Sequence, residues 1–296
     1  MGLIRSWISS GPVITDGAWG TELQKRGWRG QQPADLWNLT HPEVIREIAS
    51  EYLAAGSQII LTNTFRANPI ALLPFGLADH SVEINRRGVE LARSVMTDTA
   101  SLIFASLGPT GKRIDLGEIA EASAKASFKV QAQALADAGV DALIFETFSN
   151  LPEARLALEA ARPTGLPIIV SFTFNDHLGR PRTQGGESAE MVARAMQEAG
   201  ADSVGANCGT HPESFLEICR QFRSSSDLPL WMKPGAGLPE VDQGVAFYTL
   251  SSNEFANYGL RLIAAGANFV GGCCGTSPQF IAALKSVCGT TALPRA

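Results

Sequence analysis

Ala138-Gly139-Val140-Asp141-Ala142-Leu143-Ile144-Phe145-Glu146 compresses a helix end, a strand and a polar stop into one short stretch. Ala-Gly closes the helical run before it, because glycine readily takes the left-handed conformation that stops a helix. The apolar run that follows has the length and character of a strand buried on both faces. The same frame recurs at Ala55-Gly56, Ala199-Gly200 and Ala265-Gly266. Seven residues beyond the four glycines stand Asn63, Glu146, Asn207 and Cys273. Polar residues closing otherwise apolar strands are hard to explain as core. Working outward, strands are expected at Val13–Asp16, Gln58–Asn63, Leu102–Leu107, Ala142–Thr147, Ile168–Phe174, Ser203–Asn207, Leu230–Lys233 and Phe269–Gly272. Helix-compatible segments such as Pro42–Ala55, Glu118–Ala138, Ala189–Ala199 and Pro212–Phe222 lie between them. Eight strand–helix units in 296 residues predict an α/β fold, a single-domain (β/α)8 TIM barrel. An open doubly wound sheet is the alternative. In a barrel the four polar positions mark the C-terminal rim, where active sites lie.

Composition bounds the function. The chain is 45% hydrophobic and 18% charged, which excludes disorder and requires a large core. One domain is expected over residues 1–296, its core about 12–288, with Met1 to Gly11 as a lead-in and Thr290–Ala296 as a tail. A net charge of −5 argues against nucleic acid or an anionic membrane as partner. No apolar run approaches the ~18 residues of a membrane span, and Met1 to Pro12 lacks a signal-peptide pattern. Five cysteines, an odd number, do not form a disulfide framework, so a reducing cytoplasm is expected. Oligomeric state is not legible.

The sharpest chemical feature is Gly271-Gly272-Cys273-Cys274-Gly275-Thr276. Neighbours on a regular strand point to opposite faces, so two converging thiols require that the strand has ended. Cys208 closes the sixth strand in Gly205-Ala206-Asn207-Cys208-Gly209, near the eighth on the same rim. Three thiolates with a free fourth position suit catalytic zinc. A redox pair formed by Cys273 and Cys274 is the competing interpretation. Cys219 and Cys288 lie in helical segments and read as small core hydrophobes. The four histidines form no metal pattern, and no glycine-rich segment carries a nucleotide fingerprint. Lys233, ending the seventh strand, admits a Schiff-base alternative.

Further segments run in order along the chain: Asp16-Gly17-Ala18-Trp19-Gly20-Thr21, Leu61-Thr62-Asn63-Thr64-Phe65, Gly108-Pro109-Thr110-Gly111 and Phe145-Glu146-Thr147-Phe148. With Asn207-Cys208 and the Gly271–Thr276 segment, the chain resembles the homocysteine S-methyltransferase family. The resemblance implies Cys208, Cys273 and Cys274 as zinc ligands, with Zn2+ as cofactor. It implies Asp16 and Glu146 around the amino group of homocysteine. Gly17, Ala18, Thr62, Asn63, Thr64, Phe65 and Asn207 fall among the segments bordering the substrate. Many methionine-synthase-like members carry Asn-Ala-Gly-Leu-Pro after the seventh strand. This chain has Gly235-Ala236-Gly237-Leu238-Pro239, so Gly235 offers no fourth ligand.

The expected activity is therefore zinc-dependent methylation of homocysteine to methionine. The partners are homocysteine and a methyl donor. The Thr62–Phe65 and Gly235–Pro239 segments look most like the homocysteine domain of cobalamin-dependent methionine synthase, yet no length remains for folate or cobalamin domains. The donor is then a separate corrinoid protein or a small sulfonium such as S-methylmethionine. A thiol-binding or redox barrel, or an enzyme acting on another thiol or selenol, is the alternative.

Overall fold

Left-handed glycines end four helices where the repeat places them, with φ of 99° at Gly56, 86° at Gly139, 76° at Gly200 and 105° at Gly266. The helices are Pro42–Ala54, Glu121–Asp137, Ala189–Glu198 and Ser252–Ala264. The computed structural model describes residues 2–96, 101–114, 116–242 and 245–289. Its main sheet has eight parallel strands: β1 (Val13–Ile14), β2 (Ile59–Leu61), β3 (Leu102–Leu107), β4 (Ala142–Phe148), β5 (Ile168–Phe172), β6 (Ser203–Asn207), β7 (Leu230–Lys233) and β8 (Phe269–Val270). From β2 to β8 each strand pairs with the next in chain order, and β8 pairs with β1. A parallel bridge from Thr15 to Ile59 closes the ring. This is the (β/α)8 barrel.

The regular strands stop short of the expected ends at Asp16, Asn63, Phe174 and Gly272. Single ladder bonds continue past Ile14, Leu61 and Val270, from the N–H groups of Thr15, Thr62 and Gly271 to the carbonyls of Val270, Phe104 and Met232, before the backbone turns to partners at the rim. The Asn63 carbonyl accepts from the Asn38 side chain, and the Gly272 N–H donates to the Asp16 carbonyl at 3.0 Å. Two antiparallel hairpins, Asn175–His177 with Arg180–Arg182 and Glu240–Asp242 with Val245–Phe247, decorate the loops after β5 and β7. The first carries no strand-like apolar pattern.

The repeat extends to hydrogen bonds. Two residues after each helix-ending glycine stand Gln58, Asp141, Asp202 and Asn268. Their side chains accept from the N–H groups of Ile14, Ile103, Ile168 and Leu230 respectively, at 2.8–3.0 Å. Their own N–H groups donate back to the carbonyls of those same four residues. Every even strand thus enters the barrel locked to the odd strand before it.

Side chains alternate across the strands. Inward residues Val13, Ile59, Leu61, Phe104, Ala142, Ile144, Ile169, Trp231 and Phe269 fill the barrel, while Ile14, Ile60, Ile103, Leu143 and Phe145 pack against the helices. Phe104, Trp231 and Phe269 form the widest layer, with ring centroids 5.3–6.4 Å apart. Gly205 makes room for it, since a Cβ there would collide with the Trp231 carbonyl. The lead-in does more than connect. Leu3–Trp7 is a helix whose Ile4 and Trp7 join the interior cluster, the Trp7 ring lying 5.3 Å from Phe104. Among the described residues no helix is long and apolar enough to cross a membrane.

Candidate active site

Above the aromatic layer the inward positions turn polar. Ser106 on β3 donates to the Glu146 carboxylate on β4, and Ser171 on β5 donates to Asn207 on β6 at 2.7 Å. The Lys233 ammonium on β7 meets Asp16, just beyond β1, at 2.5 Å. Side chains on adjacent strands, or in the third case on the two strands flanking β8, therefore satisfy one another in pairs, as buried polar groups must. These positions continue the period-two pattern of the strands, which is why polar strand ends signalled the rim.

Asn207 works mostly on the backbone. Its Oδ1 accepts from the Thr147 N–H at 2.9 Å, and its Nδ2 donates to Thr147 Oγ1 at 2.7 Å. That clamp holds Thr147 at φ 64°, an unusual conformation for a β-branched residue. The turn lies where the β4–β5 register shifts between Phe145 and Phe148. Asn207 Nδ2 also lies 3.9 Å from Cys273 Sγ.

Cys208, Cys273 and Cys274 converge, with all three sulfurs within 4.8 Å of one another and Cys208 Sγ 3.4 Å from Cys274 Sγ. Zinc–sulfur bonds of about 2.3 Å in a tetrahedron put sulfurs about 3.8 Å apart. The cluster fits such an ion. Cys208 reaches it because its backbone is left-handed, at φ 59°. The Cys273 N–H donates to the Pro234 carbonyl, and the Cys274 carbonyl accepts from the Ala236 N–H, both at 2.8 Å. Those bonds zip the cysteine loop to the loop after β7. A Cβ at Gly235 would lie 3.0 Å from the Cys274 carbonyl, so this position borders the cluster with no side chain to offer.

Without a cation the thiols hold their protons. Cys208 is drawn down by Cys273, but the Cys274 contact and burial outweigh this and push it up to about 11. Cys274 is drawn down by Cys208, yet Cys273 and burial raise it to about 12. Cys273 is raised by Cys208 first and by burial.

A cleft of roughly 370 Å³ opens beside the sulfurs, within the range of small-molecule sites. Gly17, Ala18, Thr62, Asn63, Phe65, Glu146, Asn207, Lys233 and all three cysteines line it. Trp19, Trp28 and Phe75 supply an aromatic wall. Thr64 is buried behind the lining and donates to the Ser106 carbonyl at 2.8 Å. Glu146 faces the cleft with its carboxyl raised by burial, an effect the Lys233 charge partly opposes.

Asp16 departs from expectation. It is fully buried and is not part of the cleft lining. Besides Lys233 it accepts from Trp19 Nε1 at 2.9 Å and the Leu61 N–H at 2.8 Å. Lys233 accordingly sits in an ion pair. Sequence reasoning also missed Thr276 and Tyr52, which fix Ala18 by accepting from its N–H and donating to its carbonyl. Asp35, too, went unnoticed: a buried carboxyl on the cleft wall, it accepts from the Arg66 N–H at 2.9 Å. In sequence it is a lone acidic residue between Ala34 and Leu36, with no motif to single it out. Cys219 is buried in the helical core, and Cys288 packs against its edge.

Residues 13–288 match the family model described as homocysteine S-methyltransferase. Among curated proteins, the methionine synthase of Mycobacterium leprae is 30% identical over 96% of this chain, and that of Mycobacterium tuberculosis 29% identical over 93%. The chain spans about a quarter of the length of each, 25% and 24%. Among solved structures, the metallated form of the homocysteine methyltransferase MmuM from Escherichia coli superposes with a TM-score of 0.77 and 28% identity, covering 93% of this chain and 96% of that one. Its oxidized form gives 0.80 and 27%, covering 97% and 99%.

Proposed function

The chain belongs to the homocysteine S-methyltransferase family, and on that premise we propose that it transfers a methyl group to the thiol of homocysteine, giving methionine. The observation that carries this reading is the meeting of three cysteine sulfurs at the edge of a cleft that also presents Glu146. Cys208, Cys273 and Cys274 would hold zinc. Zinc among these thiolates supplies one thing, a lowered proton affinity for a thiol that is mostly protonated near neutral pH. The protein's own groups do the positioning. Glu146, oriented by Ser106, accepts the ammonium group in a charge-assisted hydrogen bond. Gly17–Ala18 and the Thr62, Asn63, Thr64 and Phe65 segment border the amino-acid end. Asn207 keeps Thr147 and Cys273 in place. Trp19, Trp28, Phe65 and Phe75 keep water from the transfer. With donor and acceptor aligned, little beyond orientation is needed.

The donor is a methylated corrinoid protein or a small sulfonium such as S-methylmethionine. The test incubates purified zinc-loaded protein with homocysteine and each donor in turn, measuring methionine by mass spectrometry. Methionine from one of them, lost in Cys273→Ala, is the expected result. No methionine from any donor sinks the proposal.

A further inference from the structure

The base of the cleft holds two carboxylates and one ammonium, a net charge of −1. Asp16 and Lys233 account for one of each. The Lys233 side chain is 3% exposed and Asp16 is fully buried. Beneath them lies the Trp231 ring, its centroid 5.7 Å from Lys233 Nζ, so no water-like medium screens the pair. Asp16 Oδ2 accepts from Trp19 and Leu61, and Oδ1 accepts from Lys233. Glu146 is the carboxylate that borders the base of the cleft, and its hydrogen-bond partner is the neutral hydroxyl of Ser106.

We propose that Lys233 is a positioning residue that sets the charge of the amino-acid pocket. By neutralising Asp16 it leaves Glu146 as the uncompensated carboxylate at the base of the cleft, matched to a single ammonium, while Asp35 on the wall has the Arg66 charge beside it. The inference rests on the amino-acid-thiol reading of the pocket. The physical reason is economy of buried charge. Two unneutralised carboxylates in one low-dielectric pocket oppose each other's ionisation and repel any ligand that carries a carboxylate of its own. Homocysteine carries one. With Lys233 in place, the single net negative charge at the base of the cleft answers the single positive one of the zwitterion. The Asp16 side chain then shapes the floor through Trp19 and Leu61 rather than touching the ligand.

The test compares affinities for L-homocysteine and for 3-aminopropanethiol, the same thiol lacking the carboxylate. Titration calorimetry on zinc-loaded wild type, Lys233→Met, Asp16→Asn and the double variant reads the ratio of the two. Thermal melts establish that each variant is folded. Lys233→Met should shift the ratio toward 3-aminopropanethiol by about tenfold, the scale of one charged hydrogen-bond partner. Asp16→Asn should shift it the other way. The double variant, neutral at both positions, should return within about threefold of wild type. A purely structural ion pair would alter stability and leave the ratio alone. If Lys233→Met does not fold, Asp16→Asn and the double variant still decide the matter. An unmoved ratio in the folded single variants overturns the proposal. So does a double variant that departs from wild type as far as a single one, since Lys233 or Asp16 would then be touching the ligand directly. A folded wild type that binds neither thiol overturns the amino-acid-thiol reading itself.

Discussion

Cys208 at φ 59° is a non-glycine residue held in the left-handed region, and the sulfur cluster gives that conformation a purpose. An extended backbone would continue β6 and alternate the side chain away from the rim. If three thiolates hold the metal, purified protein should retain about one zinc per chain, and Cys208→Ala, Cys273→Ala or Cys274→Ala should each abolish tight retention. Cys219→Ala and Cys288→Ala should keep it, because those thiols belong to the helical core. Full zinc occupancy by mass spectrometry in Cys274→Ala would reject the three-thiolate arrangement. Asp35 makes a different claim on the solvent. Burial pushes its carboxyl up to about 6 from 3.8, against the opposing Arg66 N–H and charge. A folded pKa above the unfolded one contributes stability that is full below about pH 4 and is lost as pH rises through about 6. The loss is on the order of 2–3 kcal/mol by neutral pH. Asp35→Asn keeps an acceptor for the Arg66 N–H and has no charge to bury. Its melting temperature should therefore gain on wild type as the pH goes from 4 to 7. A difference that stays constant over that range would show that Asp35 ionises normally.

At the scale of elements the molecule is four copies of one joint. A left-handed glycine ends a helix, a residue two positions on ties the new strand to the old one, and a basic side chain covers the glycine. Arg93 donates to the Gly139 carbonyl and Arg162 to the Ala199 carbonyl. Lys285 and Arg223 lay their methylenes against Gly56 and Gly266, with 2.8 and 3.1 Å left for any Cβ there. Positive charge at helix C-termini is favourable, since the last carbonyls have no partner of their own. The tie is testable at Asp202. Asp202→Ala strands the Ile168 N–H on a buried strand, at a cost of about 1–3 kcal/mol. Asp202→Asn preserves the acceptor and should cost well under half of that in urea unfolding. Equal losses in the two would mean that charge, not the hydrogen bond, holds β5 to β6. This joint is also why the barrel was legible. Ala-Gly followed by an apolar run marks four of the eight strands in the residue order alone. The hairpin after β5 was not legible, because Asn175–His177 is exposed at every position and buries no apolar face to leave a pattern.

Seen whole, the barrel is stacked along its axis: an N-terminal helix, an aromatic layer, a polar layer, then the cleft with its sulfurs. Sequence exposed the upper layers because charges and cysteines at strand ends contradict a core strand. The pairing within the polar layer was hidden. Asp16 and Lys233 lie 217 residues apart, and only closure of β1 against β8 and β7 brings them together. The base of the barrel was hidden for another reason. Ile4 and Trp7 sit in the short lead-in from Met1 to Gly11, and no local signal says that an aromatic layer awaits them. Their burial makes the first helix part of the interior, and that can be separated from any role at the rim. Trp7→Ala removes a side chain that is 3% exposed and in ring contact with Phe104, leaving a cavity at the barrel base. Such truncations cost about 3–5 kcal/mol. In a chain of this size each kcal/mol lowers the melting temperature by roughly 2 °C, so a drop of about 6–10 °C is expected by calorimetry. Zinc content and homocysteine affinity should stay at wild-type values in the folded variant, because two layers of side chains separate Trp7 from the sulfurs. A melting temperature within about 2 °C of wild type would place the helix outside the cooperative unit, and a loss of zinc at unchanged stability would mean that the layers are coupled along the axis rather than stacked independently.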